Sequence, residues 1–175
     1  MATCNSILQT WPQFSHPLKW RAQPQTKRRA VLPWLLDTGS LTNKLIARAG
    51  DEFAILRIAE GRQFNSPGRP VPAMSADRAA HNLYWHREVL LQGHGRPWVH
   101  ALTLIPVRHR ALVMRLRQLG DNPLGGFLFR QPGLQRLRMD FAAMPHGQAR
   151  RSWFRIDRQD IILVEVFLNE FLDTL

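Results

Sequence analysis

Two charged side chains, Glu165 and Arg87, stand in stretches that are otherwise largely apolar, where they could bind or transform a small anion. Glu165 lies in the run 161–168, which is apolar on both faces, rich in β-branched residues and too short to span a membrane. These features predict a core strand. An ionised carboxylate is rarely buried without a partner, because it loses its hydration. Glu165 therefore predicts a neighbouring arginine, a hydrogen-bond network or a ligand.

Arg87 occupies a similar place in a second predicted strand, 83–91. With a period of two, it shares the more apolar face of that strand with Trp85, Val89 and Leu91. Two interpretations stay open: an arginine on an edge strand whose guanidinium reaches water, or a guanidinium held in a pocket to bind a carboxylate. Arg87 and Glu165 could form a structural ion pair, or bind a small anionic ligand between them.

One other motif suggests catalysis. The segment Asp37-Thr38-Gly39-Ser40 follows an apolar run, as does the active-site signature of aspartic proteases. A second Asp-Thr-Gly is missing, so a protease would have to be a homodimer. The residues that follow favour a helix over 41–49, with Ser40 as its N-cap and Gly50 just beyond its end.

The remaining signatures give no support to a metal or a cofactor. None of the seven histidines has the spacing of metal ligands, and Ser152 does not stand in a Gly-x-Ser-x-Gly turn. No glycine-rich phosphate loop is present. Cys4 is the only cysteine, which excludes a disulfide within the chain and a cysteine-based metal site. The sequence therefore predicts neither a metal nor a cofactor.

Composition bounds the class of protein and its partners. The 175 residues fit one domain, and 45% hydrophobic content argues against wholesale disorder. The net charge of +11 suits anionic small substrates, whereas the scattered basic residues form no dense patch for a stable nucleic-acid complex. No secretory signal or membrane-spanning run is visible. The expectation is a cytoplasmic protein without membrane insertion.

The elements that must position Arg87 and Glu165 follow from periodicity and turn residues. Strands are predicted over 53–60, 83–91, 97–107, 150–157 and 161–168, and helices over 41–49, 109–119 and 123–129. The last two strands should pair antiparallel. Residues 130–149 are predicted to be irregular, and 1–30 to form a loosely ordered extension before a domain of 31–175. Aromatic residues of that extension should dock on the domain: Trp11, Phe14 and Trp20. The fold class is α+β, with one antiparallel sheet and helices on one face.

With these residues in view, the chain resembles the chorismate lyase family over roughly residues 18–170. No single motif is diagnostic, but their order and spacing together are. The landmarks are Trp34-Leu35-Leu36, Ser40-Leu41-Thr42, Tyr84-Trp85-His86-Arg87-Glu88-Val89-Leu90-Leu91, Gly95-Arg96-Pro97-Trp98, Leu119-Gly120, Pro123-Leu124-Gly125, Leu128-Phe129, Arg150-Arg151-Ser152 and Glu165-Val166-Phe167-Leu168.

The resemblance implies a ligand buried beneath helical flaps over the sheet. It implies a metal-independent lyase that converts chorismate to 4-hydroxybenzoate and pyruvate in the first committed step of ubiquinone biosynthesis. The catalytic and ligand-binding side chains of the family fall on Arg87 and Glu165, and backbone contacts to the ligand fall on Leu41 and Leu124. A monomer is expected. A non-catalytic protein that binds a small anion or nucleic acid on the same fold is the alternative.

Overall fold

Six strands form one antiparallel sheet in the part of the chain described by the computed structural model, which covers residues 18–64 and 83–175. Neighbouring strands are all antiparallel, and their order across the sheet is β1-β2-β3-β6-β5-β4. The predicted pairing of the last two strands is confirmed. The strands are β1 (Phe53–Phe64), β2 (Leu83–Gly93), β3 (Arg96–Pro106), β4 (Gln135–Met144), β5 (Gly147–Ile156) and β6 (Gln159–Leu168).

The helices of the described residues pack on one face of this sheet. A first apolar cluster joins α1, α2 and α5 to side chains such as Leu91 and Phe167, and a second joins α3 and α4 to Trp85 and Phe154. The predicted α+β class is confirmed. The helices are α1 (Leu32–Leu35), α2 (Leu41–Ala49), α3 (Arg110–Arg117), α4 (Leu124–Leu128) and α5 (Asn169–Leu172), with 3-10 turns at Arg29–Val31 and Gly50–Glu52.

Helix α2 begins and ends where its sequence predicts. The Ser40 hydroxyl accepts a hydrogen bond from the backbone N–H of Asn43 at 3.3 Å, which satisfies one of the unpaired donors of the first turn. Gly50 ends the helix with φ of +58°, a conformation that side chains with a Cβ rarely adopt. The cap fixes where the helix starts, and it therefore fixes Leu41 at its first position.

Strand β4 lies in the region predicted to be irregular, and that prediction is wrong. Burial along β4 does not follow residue polarity, since Leu137 is 48% exposed whereas Asp140 is buried beside Arg151. A bulge causes part of this mismatch: Arg136 opposes Phe154, and Arg138, two residues later, opposes the adjacent Trp153. The extra residue disrupts the apolar–polar alternation by which a half-buried strand is recognised.

The start of the described chain runs along the β4 edge of the sheet and packs Trp20 on the face opposite the helices. Arg21 and Phe141 exchange two backbone hydrogen bonds of 2.8 Å. The Arg151 guanidinium lies between the rings of Trp20 and Trp153, 4.2 and 4.4 Å from their centroids. Docking of Trp20 is thus confirmed, while Trp11 and Phe14 lie outside the described residues. A domain boundary near residue 30 stays a prediction.

Candidate active site

A cavity lies between the sheet and helices α2 and α4, between the two apolar clusters. It has about 500 Å³ of empty space, part of it open to solvent. Apolar side chains make most of its wall, as in most small-molecule sites, and Arg87 and Glu165 supply its charges. The lining residues are Leu41, Thr42, Ile55, Arg87, Val89, Leu91, Ala101, Thr103, Asn122, Pro123, Leu124, Gly125, Phe129, Leu163 and Glu165.

Arg87 is buried on β2, with only 3% of its side chain exposed. Because β2 lies between β1 and β3, the edge-strand interpretation is wrong. The guanidinium donates to the carbonyl of Gly120 at 2.6 Å and to that of Asn122 at 3.2 Å, and it lies 3.5 Å from the carboxylate of Glu60. Burial lowers the pKa of Arg87, and the charge of Glu60 opposes this effect. The hydrogen bonds to the two carbonyls hold the guanidinium at the cavity wall.

Glu165 is paired with Arg150, not with Arg87. The Arg150 Nε donates to Oε2 at 2.5 Å and its Nη2 donates to Oε1 at 3.2 Å, a two-point contact between buried groups. The remaining nitrogen, Nη1, donates to the carbonyls of Trp34 and Asp37 at 3.0 and 2.9 Å. Arg150 therefore ties the carboxylate of β6 to the segment that leads into α2.

The pairing partner Arg150 was missed when the sequence was considered alone, although a signal for it existed. Strands β5 and β6 are joined by the two-residue turn Asp157-Arg158, and Ile156 opposes Gln159. Counting back from this turn places Arg150 opposite Glu165, as the structure does. The basic pair Arg150-Arg151 hid the signal, because adjacent strand residues point to opposite faces and polarity alone does not tell which one is buried on the helix side.

The chain is similar in sequence to known proteins over most of its length. The chorismate lyase family model matches residues 17–174. The chain belongs to the chorismate lyase family. A chorismate pyruvate-lyase from Erwinia tasmaniensis is 34% identical over 155 residues, which are 86% of each chain. One from Sodalis glossinidius is 32% identical over 156 residues, 87% of this chain and 86% of that protein. A probable chorismate pyruvate-lyase from Marinobacter nauticus is 41% identical over 104 residues, 59% of this chain and 54% of that protein.

The fold brings the residues singled out from the sequence to one place. Arg87, Glu165, Leu41 and Leu124 all line the cavity. Their part in ligand binding stays a prediction. In residues 18–64 and 83–175, no group of three or more histidine, cysteine or acidic residues is arranged to hold a metal ion.

Helix α4 approaches the start of α2 so closely that Gly125 has no room for a Cβ. A Cβ there would lie 2.5 Å from the Ser40 hydroxyl and 2.9 Å from the Thr42 hydroxyl. We expect Gly125→Ala to lower the free energy of unfolding by about 1–3 kcal/mol, the usual cost of overpacking, because the Ser40 cap must shift. It should also lower activity, since α2 and α4 form the cavity roof. Thermal unfolding and steady-state kinetics measure the two effects.

The matched control is Gly126→Ala in the same helix. A Cβ at Gly126 would meet only the end of the Arg130 side chain, at 3.8 Å. Alanine is favoured over glycine in helices by up to about 1 kcal/mol, so this variant should be neutral or stabilised. Equal destabilisation of the two variants would contradict the packing argument.

Asp37 has a structural role in the loop before α2. Its carboxylate accepts a hydrogen bond from the Gly39 N–H at 2.7 Å and pairs with the Lys44 ammonium at 2.9 Å. Burial acts to raise the pKa of Asp37, but the contacts with Lys44 and Gly39 and the charge of Arg150 outweigh it, so the pKa is lowered from 3.8. These contacts hold the entry to α2 in place, which explains the motif without protease chemistry.

Because its pKa is lower in the folded state, Asp37 stabilises the fold at pH values above its unfolded-state pKa of 3.8. This contribution is lost as the pH falls through the lower pKa of the folded state. We expect Asp37→Asn to lower the free energy of unfolding at pH 7 by about 0.5–1 kcal/mol, since the pair is partly screened by solvent. The difference from wild type should shrink below about pH 4. Denaturant unfolding of both proteins between pH 7 and about pH 3 tests this prediction. If the difference in their free energies of unfolding stays constant, ionisation of Asp37 is not its cause.

Proposed function

We propose that the chain catalyses the conversion of chorismate to 4-hydroxybenzoate and pyruvate. One observation carries the proposal. In this chain of the chorismate lyase family, a buried arginine and a buried carboxylate line the same cavity beneath two helices. Its relatives from Erwinia and Sodalis are named chorismate pyruvate-lyase and match it over 86% of their length. Positive net charge suits attraction of a substrate that carries two carboxylates.

The reaction requires positioning more than strong acid–base chemistry. The bond between the ring carbon and the ether oxygen breaks, and the proton on the neighbouring hydroxyl-bearing carbon is lost. The electrons of that C–H bond complete the aromatic ring, and the oxygen leaves with the enol of pyruvate, which takes up a proton to give pyruvate. Because aromatisation drives the reaction, the protein needs mainly to orient the substrate and to exclude water.

The roles we assign follow from the contacts of each group. Arg87, already held by two carbonyls, binds the ring carboxylate with its remaining N–H groups. Glu165 accepts a hydrogen bond from the ring hydroxyl that becomes the phenol, and Arg150 fixes the orientation of its carboxylate. Leu41 and Leu124 are the first residues of α2 and α4, where backbone N–H groups have no acceptor within the helix. The Leu124 N–H completes the binding site for the carboxylate.

Further properties belong to the same proposal. We expect a monomer in the cytoplasm that uses no metal or cofactor and forms no stable complex with nucleic acid. None of the helices in the described ranges is long and apolar enough to cross a membrane. With the product bound beneath α2 and α4, we expect its release to be slow and to limit turnover.

Direct assay of the purified chain tests the proposal. Chorismate is added in the presence of EDTA, and 4-hydroxybenzoate and pyruvate are followed by chromatography. Equimolar products, formed well above the spontaneous rate, would support a metal-independent lyase. Activity that EDTA removes and a divalent cation restores would contradict metal independence alone. Absence of products under both conditions would reject the lyase; tight binding of 4-hydroxybenzoate would then indicate a binding protein.

A further inference from the structure

Arg136 differs from Arg87 and Arg150, the two buried arginines on the helix side of the sheet, because it has no acidic partner among the described residues. Arg87 lies beside Glu60, and Arg150 is paired with Glu165. Within the described residues, no carboxylate lies within 4.0 Å of Arg136, and its Nε is shielded from water without a hydrogen-bond partner. A buried donor without an acceptor is costly, and such a group in a native structure calls for an explanation.

The position of Arg136 depends on the bulge in β4. Residues two apart on a regular strand share a face, but the bulge places Arg136 on the helix side and Arg138 on the opposite side. The Arg136 guanidinium lies 4.7 Å from the ring centroid of Phe154 and 5.9 Å from that of Phe129, which lines the cavity. By contrast, Arg138 stacks on Trp153 and pairs with Asp140. Bulges often redirect a side chain next to a binding site.

The sheet order places Arg87 and Arg136 on strands to either side of the strand that carries Glu165. Arg87 stands on β2, two strands to one side of β6, and Arg136 stands on β4, two strands to the other. Arg136 opposes Phe154, and Phe154 opposes Ile161, which stands four residues before Glu165. The Cα atoms of Arg136 and Glu165 are therefore roughly 16 Å apart, and a ligand over Glu165 is reached only by the extended Arg136 side chain. Burial and the charge of Arg150 lower the pKa of Arg136, while Glu165 and Asp37 raise it, so its guanidinium lies in the electrostatic field of the site.

The charged side chains around the cavity carry a net positive charge. Three nearby pairs compensate their own charges: Arg87 with Glu60, Arg150 with Glu165, and Lys44 with Asp37. Among residues 18–64 and 83–175, the positive charge of Arg136 has no such counter-charge. Chorismate brings two carboxylates. The first is on the ring and stays with 4-hydroxybenzoate; the second is on the enolpyruvyl group and leaves with pyruvate.

We propose that Arg136 binds the carboxylate of the enolpyruvyl group of chorismate. The assignment rests on the proposed function and extends it, since it gives the leaving group its own binding residue behind Phe129, which lines the cavity. Arg136 thereby distinguishes substrate from product: it contacts chorismate, but 4-hydroxybenzoate has no group for it to bind. Its charge also helps to hold the departing pyruvate enol while the ring becomes aromatic.

The test compares substrate and product on the same variants. We expect Arg136→Met to lower kcat/KM for chorismate about 10- to 100-fold, the size expected for a lost charge-assisted hydrogen bond, with a raised KM. The Kd for 4-hydroxybenzoate, measured by titration calorimetry, should change less than about twofold. Arg136→Lys, which keeps the charge, should restore part of the loss and provides a second variant if Arg136→Met folds poorly.

Arg138→Met is the matched control. Arg138 lies on the same strand but on the opposite face, its side chain is 64% exposed, and its partner Asp140 keeps a second contact with Arg151. It should leave kcat/KM and Kd unchanged. If the wild-type chain is active, the proposed function stands. In that case, unchanged kcat/KM in Arg136→Met, or an equal loss of affinity for chorismate and 4-hydroxybenzoate, would overturn only the assignment of Arg136. A wild-type chain inactive on chorismate would overturn both.

Discussion

Replacement of Arg87 by alanine should reduce kcat/KM for chorismate about 1,000-fold, equivalent to roughly 4 kcal/mol of lost transition-state stabilisation. The guanidinium is oriented by the carbonyls of Gly120 and Asn122, so it is held in place for a carboxylate before the substrate arrives. Arg87→Ala should also lose affinity for 4-hydroxybenzoate, which retains the ring carboxylate. Steady-state kinetics and product titration measure both losses, and this parallel loss distinguishes Arg87 from Arg136.

Two further variants separate binding from folding at this position. Arg87→Lys keeps a positive charge but loses the planar fork, so a smaller loss of about 10- to 100-fold is expected. Glu60→Gln removes the neighbouring carboxylate, which lies 3.5 Å from Arg87, without touching the cavity wall. It should preserve most activity. Full activity of a folded Arg87→Ala protein would refute the role assigned to Arg87.

Replacement of Arg150 by methionine should lower the free energy of unfolding by about 3–5 kcal/mol, because it leaves Glu165 buried without its counter-charge. The carbonyls of Trp34 and Asp37 would also lose a donor. Activity should fall together with stability, since the carboxylate would no longer be oriented. Chemical denaturation measures the first effect, and turnover below the unfolding transition measures the second.

The double variant Arg150→Met with Glu165→Gln tests whether the loss comes from the unpaired charge. Because the remaining side chains are neutral, it should recover a large part of the stability, but it should remain inactive. Arg155→Met is the matched control: it breaks a contact of similar length, 2.7 Å to Asp160, in the same hairpin, but Arg155 is 45% exposed. Its cost should be much smaller, because solvent screens an exposed pair. Comparable losses in Arg150→Met and Arg155→Met would contradict the importance of burial.

Local patterns predicted the elements that obey local rules. Helix α2 was predicted with its bounds because the Ser40 cap, the apolar spacing and Gly50 all act within a few residues. The β-branched run around Glu165 and the alternation around Arg87 predicted β6 and β2 for the same reason. The need of Glu165 for a partner also followed from sequence, because burial of a lone charge is unfavourable in any fold.

Strand β4 and the partners of the charged residues required the tertiary structure. Leu137 is exposed in a bulge and Asp140 is buried against Arg151. The polarity of the residues therefore does not predict which positions of β4 are buried. The same bulge decides that Arg136, rather than Arg138, lies on the site side. Which of many arginines meets Glu165 depends on strand register, and register is set by pairing between strands and by the turn that joins them.

The sequence by itself determined the α+β class, the strands of Arg87 and Glu165, the cap of α2 and, through its ordered motifs, the family. Only the tertiary structure decided that Glu165 pairs with Arg150, that carbonyls after α3 hold Arg87, and that Arg136 lies near the cavity with no acidic partner in the described part of the chain. The physical reason is the range of the interactions. Caps, turns and periodicity act over a few residues, whereas a buried charge is matched by groups from strands and loops that are distant along the chain.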